Sequence, residues 1–232
     1  RPAEGRVTIL TQTLQESVGV CPEERFSQQQ TAGFCTAFLI APNLVLTAGH
    51  CLSDIKNCKD LSFVFGLRKE GVAEGFKTEV SQENIFTCKE LKYHTTLADN
   101  LVDLALVELD RVVTERKSLV FSDSNFLGGD TKLYTIGHPL GLPMKLSKGG
   151  KVLDNSDPNY FASDLDSYSV SSGSPVLNER TGLVEGVLVR GQEDFIEKNG
   201  CYVSSVCDSP LCLGEEVLRT STIKKVLADY LS

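Results

Sequence analysis

No apolar run in this chain approaches the ~18 residues that cross a bilayer as a helix. Basic residues are in the minority. The net charge is −8 and the pI 5.0, which argues against nucleic acid or an anionic membrane as the main partner and leaves only a weak bias towards cationic substrates. Eight cysteines are present, but none in the paired C-x-x-C spacing of zinc sites. The nearest spacing, Cys207 to Cys212, has no histidine close by in sequence. Disulfides formed in an oxidising compartment are the reading that follows, and with them a secreted or periplasmic protein. No acidic cluster calls for a bound ion, so neither a metal nor a cofactor is expected. The chain opens Arg1-Pro2-Ala3-Glu4 rather than on a signal peptide. The expectation is that any targeting segment has been removed or was never included.

Helical periodicity is almost absent, and so are internal repeats. In its place stand short apolar runs broken by turn residues. Val7 to Leu10, Phe34 to Ile40, Leu44 to Thr47, Leu61 to Phe65, Ile85-Phe86 and Leu104 to Leu109 form one set of strands. Lys132 to Ile136, Lys151 to Leu153, Tyr160 to Ala162, Pro175 to Leu177, Leu183 to Val189 and Cys201 to Val206 form a second. Two such groups predict an all-β chain of two antiparallel barrels or sandwiches, residues 1–115 and 116–232. The polar stretch Arg111 to Gly129 is the linker. Only the C-terminus reads as a helix, with Thr220 and Ser221 as caps and Ile223, Val226, Leu227, Tyr230 and Leu231 on one face.

Three short motifs carry chemistry. Leu46-Thr47-Ala48-Gly49-His50-Cys51 sets a histidine at the end of an apolar strand, and Asp103 leads into Leu104-Ala105-Leu106-Val107. Ser172 stands in the tight turn Ser172-Gly173-Ser174-Pro175. A hydroxyl becomes a nucleophile when a neutral imidazole takes its proton and a carboxylate holds that imidazole in the right tautomer. All three parts are present, in the order His, Asp, Ser. Asp99 and Asp110 lie near Asp103, outside the apolar strand, and Ser169, Ser171 and Ser174 are rival nucleophiles. Only Ser172 directly precedes Gly-Ser-Pro. His138, before Pro139, reads as structural and His94 as exposed.

On these motifs the chain resembles the trypsin/chymotrypsin-like serine peptidases over most of its length. Phe34 to Ile40 and Leu44 to Cys51 are similar to that family's strand pair leading to the histidine. Asp103-Leu104-Ala105-Leu106 and Ser171-Ser172-Gly173-Ser174-Pro175-Val176 are similar to its aspartate and serine motifs. Ile136-Gly137-His138-Pro139 and the Gly-Ser-Pro-Val ending point towards bacterial secreted members, some of them glutamyl-specific. The resemblance implies two six-stranded antiparallel β-barrels, chymotrypsin-like, with a C-terminal α-helix and an active site in the cleft between the barrels. It implies His50 as general base and then acid, Asp103 as its orienting carboxylate, and Ser172 as nucleophile. The oxyanion hole would be the backbone N–H groups of Val170 and Ser172.

The resemblance also pairs Cys35 with Cys51, a bridge worth roughly 3 kcal/mol for a loop of this size. Cys58 with Cys88 is a candidate second pair; Cys21, Cys201, Cys207 and Cys212 remain open. For substrate binding it points to Asp166 at the floor of the pocket and to Gly191 and Gly200 as its walls. A carboxylate there selects Arg or Lys before the scissile bond, and Asp164 competes for the role. Glutamyl-specific relatives carry a histidine where this chain has Leu188, which speaks against cleavage after Glu.

The pattern departs from the family in the serine loop. Val170 stands where active relatives carry glycine, and a β-branched residue is strained if the site needs positive φ. A carbonyl turned into the hole would remove a donor worth about 10²–10³ in kcat. Ser169 replaces another common glycine. Ser171 cannot pair with a new N-terminal ammonium, and no Ile-Val-Gly-Gly start exists, so trypsinogen-type activation is not expected. A serine esterase on another fold is disfavoured because the chain lacks a Gly-x-Ser-x-Gly elbow and a βαβ pattern. The sequence therefore predicts a secreted, monomeric serine endopeptidase acting on peptide or protein chains. Its rival is a catalytically impaired homologue that binds proteins through the same cleft.

Overall fold

The computed structural model describes residues 5–68, 79–99, 102–124, 126–207 and 212–231. A first antiparallel sheet holds β1 (Phe38–Ala41), β2 (Leu44–Thr47), β3 (Ser62–Val64), β4 (Ile85–Thr95) and β5 (Leu104–Leu109), in the order β1-β2-β5-β4-β3. The second holds β6 (Leu133–Gly137), β7 (Lys145–Gly150), β8 (Val152–Asp154), β9 (Tyr160–Ser163), β10 (Pro175–Asn178) and β11 (Val184–Arg190). A hairpin of β12 (Phe195–Lys198) and β13 (Cys201–Ser204) stands apart, and β14 (Glu215–Arg219) completes the second sheet in the order β7-β6-β10-β11-β14-β9-β8.

The edge strands of that second sheet, β7 and β8, are consecutive in the chain with only Lys151 between them. Its two edges must therefore meet, and the sheet curls into a nearly closed barrel of six stretches of chain, one of them bent at Lys151. The first sheet, with five strands, makes a half-barrel.

Alternation along the central strands explains why both sheets are covered on each face. On β5, Leu104 and Leu106 join Phe38, Leu46, Leu177, Val187, Leu218 and Leu227 in a core shared by the two sheets. Ala105, Val107 and Leu109 face the other way, into the core of the first sheet with Val45 and Phe86. Leu188, between Val187 and Val189 on β11, turns into the core of the second. Apart from half-buried Glu108, the strand that delivers Asp103 is thus buried, and the aspartate inherits a rigid base.

Four disulfides cross-link the chain: Cys21–Cys201, Cys35–Cys51, Cys58–Cys88 and Cys207–Cys212. The C-terminal helix runs Thr220–Val226, and Ile223 and Leu227 are fully buried while Tyr230 and Leu231 stay 39% exposed. Its caps differ from expectation. Arg219 holds the N-cap position without a side-chain cap, and Thr220 Oγ1 donates instead to the Val184 carbonyl at 2.9 Å. A second helix, Leu14–Val18, was not expected. Thr13 and Glu16 form a reciprocal capping box that starts it, and Gly19 at φ 80° ends it.

Candidate active site

β2 ends at Thr47 and the chain tightens into a 3₁₀ turn, Gly49–Leu52, that carries His50. Glycine is required at 49, because a Cβ there would collide with the Thr95 carbonyl and press on Asp103 Oδ1. This close approach lets one carboxylate grip the turn twice. The His50 amide donates to Asp103 Oδ1 at 2.8 Å, and His50 Nδ1 lies 2.8 Å from Oδ2. An ionised carboxylate only accepts, so Nδ1 carries the proton and Nε2 keeps its lone pair. The Asp103 side chain is 4% exposed and that of His50 43%, so the carboxylate is buried while the imidazole opens to the cleft. Asp103 N–H donates to the Tyr160 hydroxyl at 3.1 Å, which links the pair to the second barrel. His94 Nε2 supports the same turn from the carbonyl of Gly49, at 2.9 Å. The sulfurs of Cys35 and Cys51 cluster beside His50, but as a disulfide they offer no thiolate to a metal.

The rival residues are occupied elsewhere or buried. Asp99 accepts from Thr96, and Asp110 accepts from Thr87 and pairs with Arg111. His138 is a structural donor: burial holds its pKa below the usual histidine range, and Nδ1 meets the Leu142 carbonyl at 3.0 Å. Ser171 and Ser174 are buried, and Ser169 is bonded to Asp194.

Ser172 faces His50 across a cleft of about 530 Å³ that both line with Asp103. Gly173, at φ 88°, allows the crossing, since a Cβ would collide with the Thr36 carbonyl and the Thr47 hydroxyl. The Ser172 hydroxyl donates to the Val189 carbonyl at 3.0 Å rather than to His50. In front of it, Tyr168–Ser171 forms a turn closed by Ser171 N–H to Tyr168 carbonyl at 3.1 Å. Val170 sits in that turn at φ 71°, a left-handed conformation costly for a β-branched residue.

Two carbonyls of this loop are tied to neighbouring segments of the chain. Ser169 C=O accepts from Leu140 N–H at 2.7 Å, and Val170 C=O accepts from Thr36 Oγ1 at 3.3 Å. In a trans peptide the N–H points opposite the carbonyl, so Val170 N–H is turned away from Leu140. The N–H groups of Val170 and Ser172 donate no hydrogen bond among the described residues. Ser169 gives both its N–H, at 2.8 Å, and its hydroxyl to Asp194 Oδ2.

The residues expected to bind substrate are spread more widely. Gly191 lines the cleft with Ser172. Asp166 is exposed and lines an adjoining recess with Ser167, Asp194, Gly214 and Glu215. Gly200 sits in the exposed turn of the β12–β13 hairpin and borders neither space. Sequence reasoning missed Glu215, which lines both the cleft and the recess. Burial first, then the charges of Asp194 and Asp166, push its carboxyl up to about 8. The signal was the acidic pair Glu215-Glu216 just before apolar Val217-Leu218, which hid a strand.

No curated protein matches this chain. Among solved structures, a Glu endopeptidase in complex with MPD is 18% identical with a TM-score of 0.57, over 100% of this chain and 99% of that one. A protease from M. tuberculosis in its active form is 17% identical (TM-score 0.54; 84% and 72% covered). A serine endoprotease from Yersinia pestis is 15% identical (TM-score 0.56; 89% and 60%). At these identities the likeness carries the two-barrel, chymotrypsin-like fold. A family model described as a trypsin-like peptidase domain matches residues 35–187, well over half of the chain, so the chain belongs to that family and is a serine endopeptidase.

Proposed function

We propose that this secreted endopeptidase works through Ser172, His50 and Asp103. The reading rests above all on the two-point grip of Asp103 on His50, 2.8 Å from both the amide and Nδ1, in a cleft lined also by Ser172. Ser172 Oγ attacks the scissile carbonyl carbon while its proton passes to His50 Nε2. The developing oxyanion takes the free N–H groups of Val170 and Ser172. The C–N bond then breaks as His50 returns the proton to the leaving amine, and water repeats the sequence on the acyl-enzyme. For the attack, the Ser172 hydroxyl has to leave the Val189 carbonyl and turn to His50, a rotation about one side-chain bond. Substrate arrival supplies the occasion, since catalytic hydrogen bonds are often loose before it.

Cleavage falls after Arg or Lys. The acidic recess beside the cleft, with Asp166 in it, supports this preference, and Gly191 leaves the cleft wall bare. Four disulfides support an oxidising compartment. The test is stoichiometric labelling by a fluorophosphonate followed by peptide mapping. Labelling at Ser172, lost in Ser172→Ala and His50→Ala, is the expected result. A folded parent protein that takes no label would instead be a binding homologue using the same cleft, which the strained Val170 and the diverted Ser172 hydroxyl would then explain.

A further inference from the structure

We propose that Glu215, rather than Asp166 alone, selects the cationic side chain of the residue before the scissile bond, its carboxylate meeting that cation over Gly191. The inference deepens the peptidase reading above and rests on it.

Gly191 follows β11 directly, two residues beyond Val189, whose carbonyl holds the nucleophile's hydroxyl. The Glu215 carboxyl is packed over it: a Cβ added at Gly191 would collide with both carboxyl oxygens. Gly191 is thus the residue that makes room for this acid, and the acid lies in the wall of the space that holds Ser172 and His50. Gly214 fixes its approach, because the chain there runs so near the Ser163 carbonyl that a Cβ would press on it.

Three neighbouring acids already have partners. Asp194 takes two hydrogen bonds from Ser169, Glu216 pairs with Arg190, and Asp164 accepts from the Lys151 amide at 2.5 Å. The Glu215 carboxyl makes no hydrogen bond or ion pair among the described residues, and in the same recess the buried Ser167 hydroxyl has none either. A half-buried carboxyl without donors is costly as an anion, so the empty protein keeps a proton near it. A ligand that brings N–H donors and a positive charge removes that cost; an acidic side chain would add a further like charge. A lysine ammonium or an arginine guanidinium fits, and the exposed Asp166 then supplies a second charge in the adjoining recess.

The experiment compares peptides identical except for Lys, Arg, Gln or Ala before the cut, on the parent protein and on Glu215→Gln and Asp166→Asn. The ratio of kcat/KM for Lys or Arg over Ala is expected to fall about 10- to 100-fold in Glu215→Gln, the range of a hydrogen bond to a charged group. The fall in Asp166→Asn is expected to be smaller. Benzamidine and its neutral counterpart benzamide give a second reading on the parent protein alone: only the cation should slow fluorophosphonate labelling. An unchanged ratio in Glu215→Gln overturns the assignment, as does equal protection by the two probes. So does a parent preference for Ala that Glu215→Gly relaxes, which would make Glu215 a plug. In those cases Ser172 still takes the label and the peptidase reading stands. A parent that takes no label at Ser172 sinks both.

Discussion

Val170 concentrates the conflict between local preference and chemistry. Its φ of 71° is one that glycine adopts freely and a β-branched residue pays for at about 1–3 kcal/mol. Val170→Gly is therefore expected to raise kcat by easing the oxyanion loop into place, with thermal stability measured alongside to separate strain relief from added chain entropy. A lower kcat would mean that the valine side chain itself holds the loop. Asp103 makes the complementary case. Asp103→Asn keeps the shape but offers Nδ1 an amide in place of a carboxylate, and a loss of kcat on the order of 10⁴ is expected where the tautomer is lost; steady-state kinetics on a peptide substrate reads it. These positions were legible in the sequence because each sits in a short and specific context: Ala-Gly-His-Cys, Asp before an apolar strand, Ser-Gly-Ser-Pro. Glu215 was not, since its importance comes from a contact with Gly191, 24 positions away, that no local pattern encodes.

The loop that carries Ser172 is held at three points. Thr36 donates its N–H to the Ser172 carbonyl at 2.9 Å and its hydroxyl to the Val170 carbonyl. Leu140 N–H holds the Ser169 carbonyl, and Asp194 takes both donors of Ser169. Asp194 carries charge-assisted bonds, the stronger kind. Asp194→Ala is expected to lower kcat roughly tenfold or more while KM for a small ester moves little, because the loop, not the substrate, loses its support; a KM effect with kcat intact would place Asp194 in substrate binding instead. Elements of this sort were only partly readable. Leu44–Thr47 and Leu104–Leu109 match their apolar runs, being buried on both faces. Ile85–Thr95 extends nine residues beyond the apolar pair that betrayed it, through Lys89, Glu90 and Lys92 on an exposed face. Lys145–Gly150 is a polar edge strand with two glycines, and edges need no apolar pattern to pair. The short N-terminal helix was signalled only by Thr13 and Glu16 three residues apart.

The two barrels meet in one shared core, and the cleft between them is where an acidic protein buries a carboxyl it does not satisfy internally. That choice has a thermodynamic trace. Glu215 titrates near 8 in the folded protein, against 4.5 for an ordinary glutamate in the unfolded chain. Between those values the folded state binds a proton that the unfolded state has lost. Stability from this group is therefore complete below pH 4.5 and declines as pH rises through about 8, with a slope of at most about 1.4 kcal/mol per pH unit. The exposed carboxylates Asp99, Asp123 and Asp154, whose pKa values are lowered by hydrogen bonds from Thr96, Lys224 and Ser156, act in the opposite sense and only in acid. The two contributions thus occupy different pH ranges and separate cleanly. Glu215→Gln keeps the volume and removes the titration, so its stability relative to the parent should climb from pH 5 to pH 8 and level off above. Denaturant unfolding of both proteins across that range measures the difference directly. A difference that stays flat would place the carboxyl in water, where no cationic side chain would be needed to hold it ionised.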